Sequence, residues 1–229
     1  MTGDFSFYKE HPKTCEPDDF WGQVKRTVNG KPLPTEQIDM IVHAVCDGLE
    51  LQAEDWLLDL CCGNGALTAR FFARCKGGVG VDFSEFLIGV AREHFARRKQ
   101  ETFLLDDAVH FVETCPEPER FSKAVCYGSW QYLPREDSMR LLAALRQCVP
   151  NIRRLFLGNL PDKRKLHDFF GDRYEAGIED IADSPIGVWW SPDEMRALAQ
   201  RLGFTVEIRT MPEAFYAAHY RFDAVLTPA

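Results

Sequence analysis

A glycine-rich turn carries residue types that suit a small ligand with a charged end. Residues 58–65 read LDLCCGNG and stand where a short apolar segment gives way to a helical pattern. Gly63 and Gly65 let the backbone approach a ligand without a clash from Cβ. The helix that follows offers free backbone N–H groups, which favour a carboxylate or a phosphate. By itself this turn is weak evidence, because some such sequences are only tight turns.

Two further segments end in acidic residues. Residues 79–84 read VGVDFS, and Asp82 follows Gly65 at about the spacing of a ribose-binding carboxylate. Residues 104–108 read LLDDA, so Asp106 or Asp107 could accept a hydrogen bond from an adenine amino group. Each acid could instead simply cap the helix that follows it.

The three segments together indicate a nucleoside site with a charged tail along the glycine turn. A dinucleotide remains possible on steric grounds, because Ala66 and Thr68 are small. Asp59, just before the turn, would place a further anion beside a pyrophosphate. That carboxylate is better suited to a ligand that carries an ammonium group.

The elements that must position these segments alternate between strand and helix from residue 36 onward. Such alternation predicts an α/β domain with a mainly parallel sheet. No helix separates the last two strands, so we expect them to pair antiparallel at one edge. The predicted strands are 56–60, 78–82, 102–105, 124–127, 154–157, 204–208 and 220–226. The predicted helices are 36–49, 66–75, 84–98, a turn or two from Ala108, 136–148, 163–170 and a helix capped by Ser191 that stops at Gly203.

Composition narrows the class of protein. The 229 residues carry a formal net charge of −8, which argues against nucleic acid as the main partner. The chain has no apolar run of about 20 residues and its start does not look like a secretion signal, so we expect a cytoplasmic protein without a membrane partner. Eight cysteines without a C-x-x-C pair predict reduced, mostly buried thiols and no metal site.

The ordered motifs resemble those of class I S-adenosylmethionine (SAM)-dependent methyltransferases. The segments that carry the resemblance are 59–65, 81–84, 107–108, 121–129 and 189–195, with Gly203-Phe204 and the terminal strand pair. The resemblance covers residues 36–229. It implies a Rossmann-like, doubly wound α/β fold with a seven-stranded, mainly parallel sheet and a C-terminal antiparallel strand pair. Residues 1–35 resemble the lid that covers the cofactor in some members, and an insertion spans about 160–190.

The resemblance implies which residues of this sequence contact SAM or its product, S-adenosylhomocysteine (SAH). Asp59 and the turn from Cys61 to Gly65 would hold the methionine moiety, and Asp82 the ribose hydroxyls. One departure is that Cys61 and Cys62 stand where the family often has an acid or a glycine, a change that backbone contacts tolerate. The full predicted set is Trp21, Arg26, Asp59, Cys61, Gly63, Asn64, Gly65, Asp82, Phe83, Leu87, Asp106, Asp107, Ala108, Tyr127 and Gly128.

The implied reaction is methyl transfer to an oxygen or nitrogen of a small-molecule acceptor. Candidates for catalytic contact with the acceptor are Tyr8, Tyr132, Asn159, His167 and His219. Either histidine could equally be a solvent or packing residue, and Trp189-Trp190 could serve only to anchor the insertion. The alternatives are a SAM-binding but inactive partner subunit, a protein or RNA methyltransferase, and a nicotinamide-dependent oxidoreductase.

Overall fold

The central feature of the molecule is a seven-stranded sheet with helices on both faces. The computed structural model describes residues 6–229, so residues 1–5 of the predicted lid segment lie outside the described residues. The strands are β1 (Thr27–Val28), β2 (Lys31–Pro32), β3 (Trp56–Leu60), β4 (Gly77–Asp82), β5 (Glu101–Leu105), β6 (Lys123–Tyr127), β7 (Arg154–Pro161), β8 (Phe204–Thr210) and β9 (Arg221–Pro228). The α-helices are α1 (Ser6–Glu10), α2 (Phe20–Gln23), α3 (Thr35–Leu49), α4 (Thr68–Phe72), α5 (Glu85–His94), α6 (Ala108–Thr114), α7 (Arg135–Cys148), α8 (Leu166–Phe170) and α9 (Pro192–Arg201).

The strand order is β5-β4-β3-β6-β7-β9-β8. Strands β3 to β7 are parallel, and β9 runs antiparallel to both of its neighbours, β7 and β8. The predicted fold class and the terminal antiparallel pair are therefore confirmed. The chain winds outward from β3 in one direction and from β6 in the other. The switch between these two strands is where open α/β sheets bind ligands, beyond the carboxyl ends of the strands.

Two apolar layers hold the helices on the sheet. Helices α3, α4 and α5 pack on one face against side chains such as Leu57 and Phe103, and α6, α7 and α9 pack on the other against Leu58 and Leu60. Successive residues of a strand point to opposite faces, which is why Leu57 and Leu58 belong to different layers. Burial on both faces explains why these strands are continuously apolar in sequence.

Several helix ends differ from the predicted ones. Helix α4 covers only Thr68–Phe72 of the predicted 66–75, and α5 ends at His94 rather than at residue 98. Glu101 accepts hydrogen bonds from the backbone N–H groups of Arg97 and Arg98, which turns the chain towards β5. By contrast, α9 has the predicted boundaries: Ser191 and Glu194 form a capping box, and Gly203 follows with φ +77°.

Strand β7 extends to Pro161 instead of ending at residue 157. Its register against β9 shifts between Leu157 and Leu160, and Asn159 lies there in the left-handed region with φ 65°. A bulge of this kind inserts extra chain into a strand and redirects the neighbouring groups. Asn159 is thereby buried inside an irregular strand rather than exposed in a loop after it.

The described part of the N-terminal segment is more regular than its sequence indicates. It contains α1, α2 and the antiparallel β1-β2 hairpin. The insertion consists of short helical turns, and its end is tied to β7 by a bridge between Asp162 and Trp190. Trp189 and Trp190 are both buried. Across residues 6–229, the helices lack the combination of length and apolar character that a membrane span requires.

Candidate functional site

A cavity of about 630 Å³ lies at the carboxyl ends of the central strands. The ends of β3, β4, β6 and β7 form its floor, and the N-terminal segment and the insertion form its other walls. The predicted site residues that line it are Tyr8, Arg26, Cys61, Gly63, Asn64, Asp82, Phe83, Leu87, Gly128, Tyr132 and Asn159. The predicted residues outside this wall are Trp21, Asp59, Gly65, Asp106, Asp107, Ala108, Tyr127, His167 and His219.

The glycine turn has the strained backbone that its sequence requires. Cys61, Gly63 and Gly65 all have positive φ, between 59° and 77°. The two glycines nevertheless serve different purposes. Gly63 lines the cavity, whereas a Cβ on Gly65 would lie 2.8 Å from the Phe103 ring, so Gly65 allows close packing under the turn.

Asp82 links the glycine turn to the end of β4. One carboxylate oxygen accepts a hydrogen bond from the Gly63 N–H at 2.9 Å, and the other accepts from the Ser84 N–H at 2.9 Å. The side chain is buried yet borders the cavity, and desolvation raises the pKa of its carboxyl group. The Phe83 backbone also hydrogen-bonds to this carboxylate, which keeps acceptor capacity for a further hydroxyl group on the cavity side.

Asp59 is buried beneath the turn, behind the cavity wall. Its Oδ2 accepts a hydrogen bond of 2.6 Å from the Thr68 hydroxyl. Burial raises the pKa of this carboxyl group to about 7; the Thr68 hydrogen bond and the nearby Arg26 cation oppose that shift, and Asp82 adds to it. A buried acid that titrates near neutrality favours a cation placed beside it, because the cation stabilises the ionised form.

Asp106 and Asp107 border a second cavity, which shares Phe83 with the first. Their carboxylates have local partners: Asp107 caps α6 by accepting from the N–H groups of Val109 and His110, and Asp106 contacts His110 Nδ1 at 2.8 Å. Neither acid lines the main cavity. An adenine bound there would have to extend past Phe83 to reach either carboxylate. Ala108 is the first residue of the same helix and is buried.

The N-terminal segment is fastened to the glycine turn through Asn64. The side-chain Nδ2 donates to the Phe20 carbonyl oxygen and to Gln23 Oε1, each at 2.8 Å. Arg26 follows along the segment, donates to the Tyr127 carbonyl oxygen at 3.3 Å and stacks on the Tyr127 ring. These contacts fix the position of the segment over the ends of β3 and β6. Trp21 lies outside the cavity, where the Arg70 guanidinium stacks on its ring.

Gly128, after β6, stands where two polar side chains converge. A Cβ at this position would lie 3.6 Å from both Arg26 Nη1 and Asn159 Nδ2. Tyr127 is buried just behind it, and burial raises its pKa well above the usual value. The space next to Gly128 is thus bordered by a guanidinium and an amide.

Tyr8 and Tyr132 meet at the far end of the cavity, with ring centroids 4.7 Å apart. Burial and the neighbouring Tyr132 hydroxyl raise the pKa of Tyr8. Two other candidates are not brought to this cavity. His167 packs on Tyr174, and His219 packs on Tyr220, so their positions do not support the predicted catalytic contact.

Several cavity-lining residues were not anticipated from the sequence, among them His11, Gln131, Asp183, Tyr216, Tyr220 and Arg221. Arg221 could have been found, because the first residue of an antiparallel last strand lies at the rim where the parallel strands end. His11 could not, since its position depends on how α1 and the following turn fold back. Its Nε2 lies 3.0 Å from the Gly22 carbonyl oxygen.

The residues on the cavity wall fit SAM. A carboxylate that can accept a hydroxyl hydrogen bond, an apolar pair (Phe83 and Leu87), a glycine turn and a guanidinium line a single cavity. The buried acid behind the turn, Asp59, adds a site that favours an ammonium group. The ribose, the adenine, the methionine carboxylate and the methionine amine of SAM thus each have a chemically matched neighbour.

Comparison with known proteins agrees with this arrangement. A family model described as a methyltransferase domain matches residues 57–151. An uncharacterized methyltransferase of Schizosaccharomyces pombe is 34% identical over 77 residues, which are 34% of this chain and 28% of that relative. The chain thus matches only about a quarter of that relative's length.

Solved structures share the fold over nearly the whole chain. Magnesium protoporphyrin IX methyltransferase from Synechocystis PCC 6803, with bound SAM, has a TM-score of 0.60 at 17% identity and covers 99% of this chain and 92% of its own. The cyclopropane synthase MmaA2 from Mycobacterium tuberculosis has a TM-score of 0.67 at 13% identity and covers 100% and 99%. Residues 57–151 thus match a methyltransferase domain, and the fold of the whole chain is one found in SAM-dependent methyltransferases.

Proposed function

We propose that the protein transfers the methyl group of SAM to an oxygen or nitrogen of a small-molecule acceptor. One observation carries this proposal. The residues suited to the cofactor line the same cavity as the tyrosines Tyr8 and Tyr132. The N-terminal segment and the insertion both contribute to its wall, for example through Arg26 and Ile186. A cavity of about 630 Å³ between such walls suits a compact acceptor better than a folded protein or an RNA.

Each predicted cofactor contact on the wall then has a definite role. Asp82 accepts hydrogen bonds from the ribose hydroxyls, and Phe83 with Leu87 packs beside the adenine. The Gly63-Asn64 turn and Arg26 hold the methionine end, with Asp59 behind them favouring the ammonium group. When bound, SAM supplies a sulfonium whose methyl group is open to in-line displacement. The protein's own contribution is to hold the acceptor in line with that methyl group.

The described cavity wall offers no strong proton acceptor among the predicted catalytic residues. Tyr8 stays protonated because its pKa is raised, and the Tyr132 hydroxyl lies 3.3 Å from the Pro185 carbonyl oxygen, to which it donates. Asn159 is an amide and does not titrate. We therefore propose that orientation carries the catalysis, and that the acceptor is a good nucleophile or loses its proton to solvent.

The test is turnover of methyl-labelled SAM with separate pools of small hydroxy and amino compounds, peptides and RNA. Label should enter the small-molecule fraction with the wild-type protein. Asp82→Asn should lower turnover at least roughly tenfold, because a charged acceptor is lost from the ribose contact. Asp168→Asn is the matched control, since Asp168 lies on α8 with an exposed side chain.

Three outcomes would overturn the proposal. Label in the peptide or RNA fraction would indicate a macromolecular acceptor. SAH binding without any turnover would favour an inactive partner subunit. Equal turnover by Asp82→Asn and the wild type would remove the basis of the cofactor site.

A further inference from the structure

A second arginine of the cavity wall, Arg221, is buried and lies on the side away from Asp82. Only 8% of Arg221 is exposed, and it is the first residue of β9. Because β9 runs antiparallel to β7, its first residue lies beside Pro161 at the carboxyl end of that strand. The reversed direction of β9 therefore places the Arg221 guanidinium at the edge of the cavity.

The charge of Arg221 is not neutralised by the surrounding protein. Other arginines pair with acids, as Arg98 does with Glu101 and Arg209 with Asp47. Arg221 has no ion pair within 4 Å among residues 6–229, and its Nε finds no hydrogen-bond partner there. Its one side-chain hydrogen bond is to a neutral group, the Asn159 carbonyl oxygen. Buried charges are ordinarily paired, so an unpaired one at a cavity indicates a partner that arrives with the ligand.

The acids near Arg221 do not supply that partner. Asp223 uses Oδ1 to accept a hydrogen bond of 2.7 Å from the Asn159 N–H, and burial raises its pKa to about 7. Asp183 lies on the cavity wall but is exposed to solvent. Asp82 belongs to the opposite, ribose-binding end. The other wall guanidinium, Arg26, is assigned to the methionine end of the cofactor.

The surroundings of Arg221 indicate what kind of molecule carries the missing charge. Tyr216 and Tyr220 line the cavity next to it, and the Arg221 guanidinium stacks on the Tyr220 ring at 4.7 Å. Tyr8 and Tyr132 complete an aromatic wall. One guanidinium matches the single charge of a carboxylate and can bind it through two parallel hydrogen bonds. The tyrosine rings suit a flat, largely apolar body.

We infer that the methyl acceptor is an aromatic carboxylic acid whose carboxylate is anchored by Arg221. This inference rests on the proposed function and adds the chemical class of the acceptor. Anchoring the carboxylate at Arg221 leaves another oxygen or nitrogen of the acceptor to face the cofactor. The backbone of Asn159 links Arg221 to Asp223: its carbonyl oxygen accepts a hydrogen bond from Arg221, and its N–H donates to Asp223. These bonds fix the position of the Arg221 guanidinium at the cavity.

The experiment measures binding to protein saturated with SAH, so that the methionine carboxylate is already in place. Aromatic carboxylic acids, beginning with para-hydroxybenzoate, are each titrated by calorimetry beside the matching primary amide. In the wild type, acids should bind at least roughly tenfold more tightly than their amides. Arg221→Gln should abolish that preference, and Arg221→Lys should keep part of it. Arg196→Gln should change nothing, because Arg196 is a half-exposed partner of Asp193 on α9.

The outcomes separate this inference from the proposed function. If SAH binds and no acid is preferred over its amide in the wild type, the inference is overturned while the proposed function stands. If Arg221→Gln weakens SAH binding itself, the guanidinium serves the methionine carboxylate and the inference is wrong. If SAH does not bind to the wild type, the proposed function fails first. The comparison of acid with amide needs no variant, so a variant that does not fold leaves the test intact.

Discussion

At the residue scale, the predicted cofactor acids divide into two kinds. Asp82 borders the cavity, whereas Asp106 and Asp107 are occupied by hydrogen bonds around the start of α6. The same residue type at the end of a strand thus borders the cavity in one case and caps a helix in the other. Sequence spacing does not distinguish these roles, because both need a carboxylate at the same place.

Asp59 should make stability depend on pH. Burial raises its pKa from the ordinary value near 4 to about 7, so the folded protein holds a proton that the unfolded chain has released between these values. The contribution of this proton to the free energy of unfolding is fully present below about pH 4 and is lost as the pH rises through about 7. The total loss is up to about 4 kcal/mol. Asp59→Asn should therefore flatten the fall in unfolding free energy measured by urea denaturation between about pH 4 and pH 7.

The exposed acid Asp168 provides the control, since Asp168→Asn should leave the pH dependence of the wild type unchanged. The Asn side chain can still accept the Thr68 hydrogen bond, so packing at position 59 is preserved. Parallel pH curves for the wild type and Asp59→Asn would contradict the raised pKa.

Tyr8 should not act as a general base. Its raised pKa keeps the phenol protonated at neutral pH, and its position beside Tyr132 makes it a packing and binding residue. Tyr8→Phe should raise KM for the acceptor but leave kcat within about threefold and the pH profile unchanged, because a deleted neutral hydrogen bond costs only about 1 kcal/mol. Steady-state kinetics over a pH series would check this. If the wild-type rate rises with pH and the variant loses that rise together with most of its kcat, Tyr8 is instead a proton acceptor.

At the element scale, the N-terminal segment and the glycine turn form a single unit. Asn64 donates to both Phe20 and Gln23, and Val24 lies 2.9 Å from the point where a Cβ of Gly63 would stand. The segment thus contacts the turn both through hydrogen bonds and through close packing. The resemblance predicted this segment as a lid, and the structure shows the hydrogen bonds that attach it to the glycine turn.

Asn64→Ala should loosen this attachment. Two hydrogen bonds to the segment are lost, so we expect SAH to dissociate roughly tenfold faster. Stopped-flow measurement of SAH release would test this, together with trypsin cleavage after Lys25 and Arg26, which should be faster in the variant. Asn151→Ala is the matched control, because Asn151 makes an exposed hydrogen bond to Glu119 far from the cavity. Equal release rates in both variants would show that Asn64 does not hold the segment.

At the scale of the whole molecule, the antiparallel last strand determines the composition of the site. The five parallel strands bring the turn, Asp82 and Gly128 to one edge of the sheet. β9 enters from the opposite direction and so contributes its first residue, Arg221, to that same edge. A mainly parallel sheet with one reversed strand thus gathers both acidic and basic groups around one cavity.

Saturating SAH should stabilise the whole fold, and NAD should not. At about 100 times the dissociation constant, a ligand that binds only the native state adds about 2.7 kcal/mol, or roughly 5–10 °C in Tm for a chain of this size. Thermal unfolding monitored by fluorescence would measure both ligands at equal concentration. A shift with NAD and none with SAH would favour the nicotinamide-dependent alternative.

The sequence by itself determined the sheet, its terminal antiparallel pair, the capped helix α9 and the identity of the turn, because these depend on local periodicity and on residues close together in the chain. The positions of Asp82 and Gly63 on the cavity wall also agree with sequence spacing. Only the tertiary structure decided that Asp59 lies behind the wall and that His167 and His219 lie away from it. It also decided that Arg221 meets Asn159, since that contact spans 62 residues and depends on the bulge in β7 and the reversed direction of β9. Contacts of such separation are set by strand order and packing, which local patterns do not encode.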